Sequence, residues 1–305
     1  MIGQVVLPTN QIYLPLVEEH SQEIEGASRD TYSYGSDARQ QLDIYTPSSA
    51  APTLGGNSRP VLVFFYGGGF ANGDKVNPMR PLFYKNLGYF FAEKVGLETI
   101  IVDYRLIKHG ASFPSGGDDV DAALSWIDQR YAGQKRALYL MGNSAGGINV
   151  CTWLFEPTYL QSRRKLIAGG GSTGVKLAGV IVLGALYHFQ NSSAPLREAL
   201  GGYFGEGLDD KSPIASIQRA EEAGELTSAE WPPVLVMDCE LDPEDIQKSS
   251  QDFVALLKKA GTFQLDYVNI KGHNHISPPL GLGSGIEAEE EWGYKLGSWL
   301  KKDPA

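Results

Sequence analysis

Short, near-continuous apolar runs punctuate the chain, and between them apolar positions recur at helical spacing. Runs of the first kind, bounded by glycine and proline, read as strands buried on both faces. They are "VLVFFYG" over residues 61–67, "LETIIVDYRL" centred on residues 98–104, "RALYLMG" ending at Gly142, "VKLAGVIVLGAL" over residues 177–183, "PPVLVMDCE" over residues 232–240, and "QLDYVNI" before Lys271. Ahead of them, "DTYSYG" and "QQLDIYTP" in residues 30–47 read as an opening hairpin. Helical spacing marks "GGDDVDAALSWIDQRYA", which begins with acidic residues and continues through Val120, Ala123, Leu124 and Ile127. Acidic side chains at a helix start complement its dipole. "AGGINVCTWLF" is a second helix, and "PEDIQKSSQDFVALLKKAG" a third with its stop at Gly261. "GIEAEEEWGYKLGSWLKK" is the last, with Trp292, Leu296 and Trp299 on one face.

Strands alternating with helices predict an α/β fold, a mostly parallel eight-stranded sheet with helices on both faces. At 305 residues the chain suits a single domain over residues 1–305 with insertions. Residues 187–230 break the alternation and are expected to form a small cap over the carboxyl ends of the strands; residues 1–30 are expected to join them. "SSAAPTLGGNSRP" reads as a loop of small residues and prolines, and "IAGGGSTG" over residues 167–174 as the most mobile connection. There is no internal repeat.

Composition narrows the function classes. The chain is 42% hydrophobic and 20% charged, an ordinary globular balance. A net charge of −10 argues against nucleic acid, whose phosphates need a basic surface. Two cysteines, Cys151 and Cys239, cannot staple a chain of this length and read as buried free thiols, which fits a reducing compartment. The start has no basic segment followed by a long apolar core, and Pro8 and Pro15 interrupt it. The longest apolar runs are too short to span a bilayer. The expectation is a cytoplasmic protein with no membrane span. Histidines and cysteines at metal-ligand spacing are missing, so neither metal nor cofactor is expected. The oligomeric state is not legible.

The chemistry begins at "LYLMGNSAGGINV", where Gly142-Asn143-Ser144-Ala145-Gly146 matches G-x-S-x-G between an apolar strand and an apolar helix. That placement forces a sharp turn in which a serine hydroxyl projects from a strained backbone. A serine needs a general base, and the base an orienting acid. Acid candidates cluster after the strand "PPVLVMD": Asp238, Glu240, Asp242, Glu244 and Asp245. Asp242, in the loop before Pro243, is favoured, with Glu240 as the alternative; Asp238 lies inside the apolar run. Of five histidines, only His273 and His275 follow the last strand, and His275 is favoured. "FFYGGGFANG" supplies backbone donors: the amides of Gly68 and Gly69, with that of Ala145, are candidates for an oxyanion hole. Phe70, Asn143 and His188 are candidate substrate contacts, and Tyr13, Tyr203 and Phe204 candidate aromatic walls that could equally be core.

Together "FFYGGGFANG", "VDYRL", "FPSGGDDVDAALSWI", "GNSAGG", "ELDPEDI" and "GHNHIS", in that order, resemble the α/β-hydrolase superfamily, in its esterase branch with an H-G-G-G type oxyanion motif. That branch includes hormone-sensitive-lipase-like carboxylesterases and kynurenine-formamidase-like enzymes. The resemblance implies the α/β-hydrolase fold, with Ser144 as nucleophile, His275 as base, Asp242 as orienting acid, and Gly68, Gly69 and Ala145 as oxyanion donors. Asp103 and Arg105, and Asp118 or Asp119, would be scaffold residues. Tyr66 stands where the family usually has histidine, and Asn143 where it has Asp, Glu or His. The function implied is hydrolysis of a small-molecule carboxylic ester with a small acyl group. Amide, formamide or lactone hydrolysis by the same triad is the alternative, and a non-catalytic small-molecule receptor the alternative of another class.

Overall fold

A computed structural model of the chain describes residues 2–53, 59–169, 174–228 and 231–300. The glycine-rich stretch in residues 167–174, the loop in residues 48–60, the cap segment and both chain ends therefore lie partly outside the described residues. Eight strands form one sheet: β1 (Arg29–Ser33), β2 (Gln41–Tyr45), β3 (Val61–Phe65), β4 (Glu98–Val102), β5 (Arg136–Asn143), β6 (Val175–Leu183), β7 (Val234–Cys239) and β8 (Leu265–Ile270). Their order is β1-β2-β4-β3-β5-β6-β7-β8. β2 runs against both of its neighbours, and every pairing from β4 to β8 is parallel. The eight are those that the apolar pattern predicts. Every residue of β3 and β7 is buried, as central parallel strands covered on both faces require.

Helices α1 (Ile2–Glu18), α2 (Ser21–Gly26), α3 (Lys85–Tyr89), α4 (Ser115–Arg130), α5 (Ala145–Phe155) and α6 (Leu160–Ala168) precede β6 or lie between the strands before it. α7 (Ala194–Phe204), α8 (Pro213–Glu222) and α9 (Glu225–Ser228) occupy the predicted insertion. α10 (Glu244–Ala260), α11 (Ser277–Gly281) and α12 (Glu287–Leu300) follow. α4, α5, α6 and α8 pack as one group, and α1, α3, α11 and α12 as another. Among the described residues a large hydrophobic core runs from Tyr34 to Leu300, and a small separate cluster joins Val17 and Ile24 to Leu82 and Tyr89.

One helix falls in a segment to which the apolar pattern assigns no element, and one expectation about the cap needs correction. Residues 2–18 form a helix although Pro8 and Pro15 lie inside it. Proline removes one donor and crowds the preceding turn, so tertiary packing against α11 sustains this helix, with Thr9, Asn10 and Val17 buried. The insertion does not all cover the strand ends: α7 does, whereas α8 packs on α5. Among the described residues, no helix is long and apolar enough to cross a membrane.

Candidate active site

The carboxyl ends of β5, β7 and β8 converge on one point. Ser144 stands between β5 and α5 with φ 52° and ψ −120°, a left-handed backbone that side-chain-bearing residues rarely adopt. The turn is this tight because its glycines leave no room: a Cβ on Gly146 would lie 2.1 Å from the Phe65 carbonyl oxygen, and one on Gly142 2.6 Å from that of Gly146. The Ser144 amide donates to the Leu183 carbonyl at 2.8 Å, tying the turn to β6.

Asp242 leaves β7 and His275 follows β8. His275 Nε2 lies 2.9 Å from Ser144 Oγ, and Nδ1 lies 2.7 Å from Asp242 Oδ1. The second oxygen of Asp242 accepts the Cys239 amide at 2.7 Å, so the carboxylate is held on both sides. Both residues are 5% exposed, which keeps water from competing for these bonds. Gly184, at the end of β6 with φ 58°, lies under the imidazole; a Cβ there would sit 3.2 Å from His275 Cε1.

The other candidates fall elsewhere. Glu240 is on the surface beside Lys271 and Gly272. Asp238 is buried, accepting from Tyr267 Oη at 2.8 Å and Asn269 Nδ2 at 2.6 Å. Burial raises its carboxyl above the usual range, with those two donors opposing. Glu244 and Asp245 rim the groove described below. His273 binds Ser277 Oγ at 2.9 Å, with Glu289 at 3.6 Å, and burial lowers its imidazole.

The donor loop follows β3. Gly67 passes closest to the serine turn: a Cβ there would lie 3.0 Å from Ser144 Cβ. Gly68 has φ 137°, and its carbonyl accepts the amides of Ala71 and Asn72, which closes the loop on itself. Gly68, Gly69 and Ser144 line one groove, and Gly69, Ser144 and Ala145 one cavity beside it. Among the described residues no acceptor engages the amides of Gly68, Gly69 or Ala145. Tyr66 caps β3; its hydroxyl donates to Asp103 and accepts from Arg39, and burial holds the phenol protonated. Burial also pushes the Asp103 carboxyl up to about 6, with Arg39 and Tyr66 opposing. Arg105 binds Asp119 at 2.9 Å, and Asp118 accepts from Tyr159, both away from Ser144.

Two spaces flank Ser144. A cavity of about 40 Å³ is walled by Phe70, Ile148, Leu186, Leu196, Leu200 and Ile246. An open groove of about 1420 Å³ has Asn143 and His188 in its wall and Asp74, Arg80, Lys108 and Lys248 at its rim. So Phe70 faces the cavity, while Asn143 and His188 face the groove. His188 also bonds Asp252 at 3.1 Å. Of the remaining aromatic candidates, Tyr203 stacks on Phe70 with ring centres 4.1 Å apart and Phe204 meets Phe70 edge-on; neither lines the space. Tyr13 is likewise outside it, donating to Glu289. The hydrophobic pattern does not single out Ile246, Leu196 or Gly184; the one available signal is the glycine of "VLGAL" at a strand's carboxyl end, level with the serine turn.

Known proteins bear out the fold. The BD-FAE family model matches residues 42–151, which carry the donor loop and the serine turn. Carboxylesterase NlhH of Mycobacterium tuberculosis is 33% identical over 103 residues, covering 32% of this chain and 29% of that protein. The chain thus matches less than a third of that relative's length. Thermogutta terrifontis esterase 2, in a form phosphonylated by sarin, superposes with a TM-score of 0.65 at 21% identity, covering 92% of this chain and 98% of its own. An esterase of the bacterial hormone-sensitive lipase family superposes with a TM-score of 0.67 at 16% identity, covering 98% and 99%.

Proposed function

We propose that this chain, an α/β-hydrolase by fold, is a serine esterase acting on small-molecule esters with short acyl groups. The observation that carries the proposal is the unbroken relay from Asp242 through His275 to Ser144, at 2.7 and 2.9 Å, facing unengaged loop amides. Ser144 Oγ attacks the ester carbonyl as His275 Nε2 takes its proton. Asp242 fixes the imidazole with Nδ1–H toward itself, leaving Nε2 free to accept, and stabilises the imidazolium that forms. The amides of Gly68, Gly69 and Ala145 receive the oxyanion; the start of α5 adds its dipole to the same charge. His275 then returns the proton to the leaving alcohol. Water repeats the cycle on the acyl-enzyme.

The two spaces support an assignment of sides. By volume, the cavity holds roughly three water-sized units, which suits a short, unbranched acyl chain against its apolar wall. The open groove accepts a larger and more polar alcohol. The named esterases among the relatives and structural neighbours support an ester as the bond cleaved.

The test is turnover of p-nitrophenyl esters of increasing acyl length by the wild type and by Ser144→Ala. Activity is expected to peak at short chains and to vanish in the variant with its melting temperature unchanged. Wild-type rates in a folded Ser144→Ala protein would overturn the mechanism. A matched aryl amide cleaved faster than the ester would move the assignment to amide hydrolysis.

A further inference from the structure

The amides of the donor loop carry no side chains of their own, so something outside must hold them. The turn between β1 and β2 supplies it. Arg39 is mostly buried, and its guanidinium spreads over both ends of the loop. Nη2 donates to Tyr66 Oη at 2.6 Å, to the Gly73 carbonyl at 3.2 Å and to Asp103 Oδ1 at 3.2 Å. Nη1 donates to Asp74 Oδ2 at 3.0 Å, and Nε to the Tyr104 carbonyl at 3.3 Å. Tyr66 immediately precedes the glycines, and Gly73 and Asp74 end the loop. Asp103 joins the same two ends, since its Oδ1 also accepts from Tyr66 Oη and, at 2.7 Å, from the Lys75 amide. Gly73 has φ 117° and no Cβ because one would lie 2.4 Å from the Tyr66 ring, so the loop's end lies flat on the residue that begins it.

We propose that Arg39 is the positioning residue of the oxyanion loop, clamping Tyr66 at its start to Gly73 and Asp74 at its end so that the Gly68 and Gly69 amides stay aimed at Ser144. Arginine suits the task because a rigid planar fork reaches several acceptors at once, which a lysine ammonium cannot do. Tyr66 gives the fork a neutral acceptor at the position where histidine is usual in the resembling family. A loosened loop leaves the ester bound and misplaces the donors only where charge develops, so the loss falls on kcat.

The proposal rests on the esterase reading but fails separately from it. The experiment compares Arg39→Met, Arg39→Lys and Tyr66→Phe with wild type, using kcat and KM for a short p-nitrophenyl ester. It also measures inhibition by a trifluoromethyl ketone of the same acyl length, whose adduct with Ser144 carries an oxyanion. Arg39→Met is expected to lower kcat roughly a hundredfold with KM little changed. Tyr66→Phe is expected to lower it roughly tenfold. Affinity for the ketone should fall in proportion to kcat/KM across the series, and Arg39→Lys should recover only part of the loss. Full kcat in folded Arg39→Met, or lower kcat with undiminished ketone affinity, would overturn the clamp while leaving Ser144-dependent turnover in place. If Arg39→Met does not fold, Asp74→Asn decides: a smaller loss of kcat and ketone affinity together supports the clamp, and no loss contradicts it.

Discussion

The loop that carries the donor amides and the loop that carries His275 meet at Ser144, yet they are held differently. The donor loop hangs on ions: Arg39, Asp74 and Asp103, with Lys75 on Asp43 at 2.9 Å behind them. The histidine loop is held by bonds within itself and to the segment that follows β7, where Lys271 pairs with Glu240 at 3.2 Å and the Gly272 amide donates to Glu240 Oε2 at 2.9 Å. Asn274 Oδ1 accepts the amides of Ile276 at 2.9 Å and Ser277 at 3.2 Å, and the Leu241 amide donates to the His273 carbonyl at 3.0 Å. Asn274 Nδ2 also ties it to the chain's start, donating to Thr9 Oγ1 at 2.9 Å. The difference follows from what each loop presents. A side chain such as His275 is aimed by its immediate partner, whereas a bare amide is aimed only by where the whole loop is pinned.

Changes at the histidine side are therefore expected to be severe and local. Asp242→Asn should lower kcat about 10⁴-fold with the fold intact. The Cys239 amide would select the asparagine oxygen, turning the NH₂ toward His275 Nδ1 and enforcing the wrong tautomer. Steady-state kinetics check this, and a loss under tenfold would break the contrast. On the donor side, Gly68→Ala should cost about 10²–10³-fold in kcat, because its Cβ would meet the Asn72 carbonyl oxygen at 2.1 Å. Gly69→Ala, with nothing within 4 Å and φ 61°, should cost less than about tenfold, a left-handed alanine being strained by only about 1–2 kcal/mol. Equal losses at the two glycines would mean that the loop is not held as rigidly as its clamp implies.

The smallest effect is on stability. Burial lowers the His273 imidazole, so the folded protein takes up its proton less readily than the unfolded chain. Stability from this group is present above the unfolded value of about 6.5 and is lost as pH falls below it. Asp103 acts with the opposite sign: its raised carboxyl favours the folded state on protonation below about 6. Comparing wild type with His273→Gln isolates the first. The wild-type melting temperature should fall more than the variant's between about pH 7.5 and pH 5; parallel curves would show His273 to be silent.

The strands and the serine turn were legible because their signals are local. Burial on both faces writes itself as "VLVFF" and "VLVMDC", and the serine turn as glycines at positions where a Cβ would strike backbone. Asp242 and His275 could be placed because each follows a strand within a few residues. Arg39 could not, since its contact with Asp103 spans 64 residues and a single arginine in a polar turn has no periodicity to mark it. α1 was hidden by two prolines, which local preference reads as interruption and packing overrides. The near half of the cap could not be told from the far half, because α7 and α8 are both amphipathic and only tertiary contact separates the one over Ser144 from the one on α5.

The most direct test of the account is covalent. Wild-type protein is incubated with a fluorophosphonate, and the adduct is located by intact-mass measurement and peptide mapping. One adduct is expected, on Ser144, absent from Ser144→Ala and formed far more slowly by His275→Ala. A folded wild-type protein that takes up no label, or takes it up on another residue, would contradict the assignment of Ser144 as an activated nucleophile.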